Sequence, residues 1–148
     1  MKISSKGRYA LAAMILLAQN TSENEYLTVL GISQKLDVSK IYLEQVFALL
    51  RRSGLVNSTK GSQGGYQLAK PASEISAADI LAVTETSIFE EPESTAKDAE
   101  PGIERALRDT LFRPANKAFR EIFEQMPLSD LAEESLRNSA DDGYMYCI

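Results

Sequence analysis

The sequence predicts a mainly α-helical fold. Three helices and a two-stranded wing form a winged helix-turn-helix, and a long amphipathic helix follows toward the C-terminus. Three observations predict it. Apolar residues recur at helical spacing in the segments near 5–20, 28–36 and 40–53. A glycine-rich stretch, KGSQGG, separates two short alternating runs, LVNST and YQLA. Ile103, Leu107, Leu111, Ala118, Ile122 and Met126 then repeat at helical spacing, with Ala106, Phe119 and Phe123 widening the stripe.

Ser4 or Ser5 caps a first helix that runs to about Asn20. Its apolar residues cover most of the circumference, so it is expected to be buried on several sides. The start, with Lys2, Lys6 and Arg8 before an apolar run, has the outline of a short signal peptide. It lacks a small-residue cleavage site and continues into the fold, so it is read as structure. TSENEY is a polar loop. TVLGISQKL forms a short second helix with Val29, Ile32 and Leu36 on one face, and Asp37-Val38 makes a tight turn. Ser39 caps a third helix that ends near Ser53, before Gly54. Its buried face is Leu43, Val46, Phe47 and Leu50, at i, i+3, i+4 and i+7.

After the wing, ISAADILAVTET is a fourth helix, including Ile75, Ile80, Leu81 and Val83. An acidic, proline-containing segment, 87–102, reads as a solvated linker. Pro114 must kink or split the long helix, because it removes the backbone bond to the carbonyl of Thr110. PLSDLAEESLRNS is a last, short helix. The organisation is therefore 1–71, 72–138 and a tail, 139–148.

Composition removes several functions. The chain has no His and one Cys. Ser-His-Asp and Cys-His pairs are impossible, as are His-based metal sites. One thiol makes no intrachain disulfide and fits a reducing compartment, here the cytoplasm. No apolar run approaches the ~18 residues of a membrane helix. No catalytic constellation and no cofactor or metal site are expected. GSQGG lacks the Gly-Lys-Ser/Thr ending of a phosphate loop.

Charge is uneven. Residues 1–71 hold nine Lys/Arg against four Asp/Glu, a balance of +5, and residues 72–148 hold seven against seventeen, a balance of −10. A basic half points to an anionic partner for that half alone. The third helix has the size to enter a DNA major groove, with its first turns facing base edges. Gln45 can read adenine, Glu44 can accept from a cytosine amino group, and Ile41 or Ala48 can touch a thymine methyl. Ser39, Tyr42, Arg51 and Arg52, with Lys60, Ser62 and Gln63 of the wing, suit phosphate or minor-groove contacts. Gly61, Gly64 and Gly65 would let the wing backbone approach the duplex. A winged helix can also serve as a protein-interaction adaptor that binds no DNA.

MKISSKGRYAL, IYLEQVFALLRRSGLVNSTKGSQGGYQLAK and ISAADIL together resemble the Rrf2 family of bacterial winged-helix regulators. The ordered set YLEQ, LR, GLV, KG and GGY makes the match specific, and with the helical part it covers nearly the whole chain. The resemblance implies a homodimer built on the helix around 103–126, through Ile103, Leu107, Leu111, Ala118 and Ile122. It also implies that Tyr42–Gln45 and the wing near Lys60 engage double-stranded DNA. Many members sense through an iron–sulfur cluster held by three cysteines after the fourth helix. Here that segment, TSIFEEPESTAKDAEPG, has none, which leaves a cluster-free regulator.

The ending DDGYMYCI is similar to the tail of a cluster-free branch that represses cysteine metabolism. That tail in turn resembles the Ile-ended tail of serine acetyltransferase, which enters the active site of cysteine synthase (O-acetylserine thiol-lyase). The resemblance implies that Tyr144, Met145, Tyr146, Cys147 and Ile148 bind this enzyme as corepressor. A carboxylate beside Ile148 would mimic an amino-acid substrate, and O-acetylserine would compete for the same pocket. The tail departs from the pattern at Cys147, where an aromatic is usual. The alternatives are a tail folded onto its own domain or its dimer mate, a regulator with another signal, and the adaptor.

Overall fold

The computed structural model describes residues 1–20, 25–61, 64–94 and 99–146, with the backbone alone for 144–146. Helix α1 (Ser5–Gln19) starts as its sequence dictates: the Ser4 hydroxyl accepts from the Gly7 N–H at 3.1 Å. A second cap comes from far away. The Glu85 carboxylate accepts from the Ser4 N–H at 2.7 Å and also from the Ser4 hydroxyl. A carboxylate is favoured at a helix N-terminus. Gly7 makes room for it, since a Cβ there would lie 2.5 Å from Glu85 Oε1.

Thr28 caps α2 (Val29–Leu36), accepting from the Gly31 N–H at 3.0 Å. Asp37 turns the chain with φ 53°. Ser39 caps α3 (Lys40–Arg52), accepting from the Tyr42 N–H at 3.4 Å. Leu43, Val46, Phe47 and Leu50 are all fully buried, against Met14, Ala10 and Ala13 of α1 and Ile32 of α2. The expected face of α3 is the buried one.

The wing pairs β1 (Val56–Thr59) with β2 (Gly65–Leu68) antiparallel, Val56 opposite Leu68 and Thr59 opposite Gly65. Leu27 extends it, exchanging backbone hydrogen bonds with Tyr66 at 2.8 and 2.9 Å. Two of the wing glycines are required by the packing of the wing itself. A Cβ on Gly65 would lie 2.4 Å from the Leu27 carbonyl oxygen, and one on Gly64 2.7 Å from that of Thr59. The Phe47 ring stacks on Tyr66, with centroids 4.3 Å apart, and so ties α3 to the wing.

A short 3₁₀ turn (Ala72–Glu74) precedes α4 (Ala77–Thr84), which Ser76 and Asp79 close with a reciprocal capping box. Ile75, expected inside this helix, lies before it. Its carbonyl accepts from the Leu128 N–H at 2.7 Å, and the Ala77 N–H donates to the Met126 carbonyl at 2.8 Å. These two bonds clasp the start of α4 to the start of the last helix.

The linker expectation needs correcting at its first residues. Phe89 is buried, with its ring centroid 6.1 Å from that of Phe119 and 6.3 Å from that of Phe123. The Asn116 amide donates to the Phe89 carbonyl at 2.8 Å, and the Arg120 guanidinium lies 4.6 Å over the Phe89 ring. A lone aromatic beside acidic residues looks solvated from its neighbours, and its partners come much later in the chain.

Pro114 does not split the long helix. Helix α5 (Pro101–Ala106) runs into a π-helical stretch (Leu107–Phe112) and then α6 (Arg113–Glu124). The Arg113 N–H donates to the Arg108 carbonyl, five residues back. The widened register lies just before the proline, and a π-helical turn is one way a helix continues past a residue that cannot donate. The apolar stripe divides. Phe123 is buried and Phe119 half-buried, facing α4, with Phe123 beside Ala77, Ala78 and Leu81. Ile103, Leu107, Leu111, Ala118, Ile122 and Met126 are exposed.

The last helix is not short. Helix α7 (Leu128–Tyr146) continues through the polar run into the tail. Leu128 and Ala132 are buried, and the Gln19 amide of α1 donates to the Ala132 carbonyl at 3.3 Å. Beyond Ala132 the described side chains are exposed, apart from the half-buried Ser135. Arg137 supports this stretch through Glu134, at 2.6 Å, and Glu133, at 3.8 Å.

Candidate nucleic-acid interface

Packing Leu43, Val46, Phe47 and Leu50 inward turns the opposite face of α3 to solvent. Ser39, Glu44, Gln45, Ala48, Arg51 and Arg52 are exposed, and Ile41 is 69% exposed. Tyr42 differs. It is half-buried, with its ring edge-on to Tyr9 of α1 at 5.6 Å and 84°. Ser39 Oγ serves its own helix as the cap.

The exposed face borders two depressions. One lies between α3 and the wing. Lys40, Glu44 and Arg51 line it from the helix, Thr59, Lys60 and Gly61 from the wing, and Thr28 and Leu30 from the start of α2. It holds three cations and one carboxylate, and Glu44 pairs with Lys40 at 3.7 Å. That pair is exposed and worth little in water, so both groups can turn toward a ligand. The other depression lies between α3 and α1. Ile41, Tyr42 and Gln45 line it with Tyr9 and Ser5, and with Asp37, Val38 and Ser39 of the turn.

The fold therefore brings together Glu44, Arg51 and Lys60 in one groove, and Ser39, Ile41, Tyr42 and Gln45 in the other. Arg52 is exposed and lines neither. Ser62 and Gln63 lie outside the described residues. Sequence reasoning missed Lys40, Thr28 and Tyr9. Lys40 carried a signal, as a cation on the first turn of the third helix. Tyr9 carried none, because its neighbour Tyr42 is distant in sequence.

The residues expected to form a dimer face are open to solvent. Ile103 is 54% exposed, Leu111 53% and Ile122 52%. Of the expected partner-binding residues, Tyr144, Met145 and Tyr146 belong to the α7 backbone, and Cys147 and Ile148 lie outside the described residues. No helix among the described residues is long and apolar enough to cross a membrane.

The chain matches the family described as Rrf2, iron-dependent transcriptional regulator, over residues 3–134. It is 38% identical to the HTH-type transcriptional regulator CymR of Bacillus subtilis, over the full length of both chains. It is 34% identical to the regulator IscR of Cereibacter sphaeroides, covering 93% of this chain and 90% of that protein. The solved structure of CymR, described as the global cysteine regulator of B. subtilis, superposes with a TM-score of 0.73 over 90% of this chain and 98% of that one. The structure of T. potens IscR superposes with a TM-score of 0.73 over 99% and 96% of the two chains, at 31% identity.

The donor set does not fit an iron site of the cysteine-ligated kind. One Cys and no His are present in the whole sequence, and an iron–sulfur cluster takes about four ligands, chiefly thiolates. Among the described residues no three Asp, Glu, His or Cys side chains are grouped to hold a metal.

Proposed function

Because the chain belongs to the Rrf2 family of transcriptional regulators, we propose that it is a dimeric, cytoplasmic, DNA-binding repressor of cysteine and sulfur metabolism genes, with cysteine synthase (O-acetylserine thiol-lyase) as corepressor bound through residues 144–148. The observation that carries this reading is the 38% identity to CymR along the full length of both chains. The missing cluster ligands support it, since control must then come from elsewhere than an iron–sulfur centre.

The groove between α3 and the wing supports the DNA-binding part of this reading. Helix α3 enters the major groove of one half-site, and the cationic groove lined by Lys40, Arg51 and Lys60 straddles the phosphate backbone. A dimer repeats this on the second half-site. The test is binding to duplexes from upstream of cysteine and sulfur genes, followed by fluorescence anisotropy across a salt series. Affinity should fall steeply with salt. Lys60→Ala should weaken binding and lower the magnitude of the log–log salt slope by about 0.9, one phosphate contact. A chain that binds other duplexes but none of these would be a regulator with another signal, and one that binds no DNA would be the interaction adaptor.

The tail reading must accommodate a helix that runs to Tyr146. That last turn is built weakly. It has no basic residue, Asp141 and Asp142 stand at the wrong end of the helix dipole, and Gly143 costs about 1 kcal/mol relative to Ala. Unwinding it to enter a pocket is therefore cheap. A synthetic peptide ending DDGYMYCI with a free carboxylate should bind cysteine synthase, and O-acetylserine should displace it in calorimetry. Deleting 144–148 should abolish binding of the enzyme and leave the fold intact. Equal binding by the truncated chain would end the corepressor reading.

A further inference from the structure

We propose that the two flanks of α3 divide a DNA duplex between them, with the α1-side hollow taking a thymine methyl against Ile41. This rests on the DNA-binding reading above and deepens it. The first observation is charge. The wing-side groove holds Lys40, Arg51 and Lys60 against Glu44 alone. The hollow on the other flank holds no cation, and its one charged side chain is Asp37. The phosphate backbone is served by the cations on the wing side, so the hollow is left for a base edge.

The second observation is shape and chemistry. Ile41 stands 69% exposed on the first turn of α3. Val38, Tyr9 and Tyr42 line the same hollow, and the Tyr9–Tyr42 edge contact steadies the aromatic part of its wall. A single exposed isoleucine is unremarkable on a surface. Here the isoleucine stands beside Val38, Tyr9 and Tyr42, the apolar part of a hollow that Ser5, Asp37, Ser39 and Gln45 complete, at the reading end of a recognition helix. The only apolar group that base edges offer in the major groove is the thymine 5-methyl. Gln45 lines the hollow too, and its amide pairs with adenine N6 and N7. The predicted half-site therefore contains a thymine next to the adenine read by Gln45. Ala48, also exposed on this face, lines neither depression and is not assigned the methyl.

The experiment uses the full-length chain. Sites are first selected from a random duplex pool. Each thymine of the selected site is then replaced by deoxyuridine, which removes only the 5-methyl. One thymine per half-site should lose about fourfold in affinity on this change, the burial of one methyl. Ile41→Ala should bind thymine and deoxyuridine versions equally, with an unchanged salt slope. Ile41 is exposed, so the variant should melt like the parent, and circular dichroism checks this. Deoxyuridine tolerated at every position, or a methyl effect that persists in Ile41→Ala, overturns the assignment and leaves DNA binding standing. A pool that yields no enriched duplex overturns both.

Discussion

Leu111→Arg combined with Ile122→Arg should leave the domain folded, hold the chain as a monomer and cost at least ~100-fold in affinity for a two-half-site duplex. Ile103, Leu107, Leu111, Ile122 and Met126 are large apolar side chains left in water along 103–126, and they recur at helical spacing, as an apolar stripe that a partner covers does. Covering each exposed half contributes about 1 kcal/mol, so five on each of two chains supply on the order of 10 kcal/mol. That is the scale needed to offset the lost freedom of association, roughly 4–15 kcal/mol. Two arginines would set four charges into this apolar interface, each costing several kcal/mol without a partner. The fold should survive, because Phe119 and Phe123 hold the other face of the helix through α4 and Phe89. Sedimentation velocity reads the association state and anisotropy the affinity. A double variant that still sediments as a dimer would place the interface elsewhere.

Phe47→Ala should destabilise the domain by about 3–5 kcal/mol, as for a fully buried aromatic whose cavity cannot collapse. Native domains hold only about 5–15 kcal/mol in total, so partial unfolding at 37 °C is expected. The site explains the size. Phe47 sits in the middle of the buried face of α3 and stacks on Tyr66 of β2. Its removal opens the core and frees the wing from α3 at once. Urea denaturation followed by circular dichroism measures it, and Phe47→Leu, which refills most of the space, should cost much less. A loss below about 1 kcal/mol for the alanine variant would mean that the core repacks around the gap.

The two variants probe features that were legible to different degrees in the sequence. The face of α3 that Phe47 belongs to follows from spacing alone. The stripe expected to carry the dimer was visible too, yet its periodicity merged Phe119 and Phe123 with Ile122 and Leu111. Only the position of α4 and the Phe89 segment separates the side chains that pack within the domain from those left open.

Helix starts at Ser4, Thr28 and Ser39, the stop at Gly54 and the wing between two alternating runs all depend on interactions within a few residues. A cap, a left-handed turn or an i, i+4 face is made by neighbours, so the amino-acid order suffices for them. The Glu85 cap on α1, the burial of Phe89, the tight fit of Gly65 on Leu27 and the Tyr9–Tyr42 wall of the hollow join residues far apart in the chain. Such contacts exist only once the helices have packed, because which distant side chain or carbonyl arrives is set by how whole elements dock. The length of α7 belongs with them: its polar second half has a weak local preference, and its start is secured by Leu128, Ala132 and Gln19 against α1 and by the clasp to Ile75.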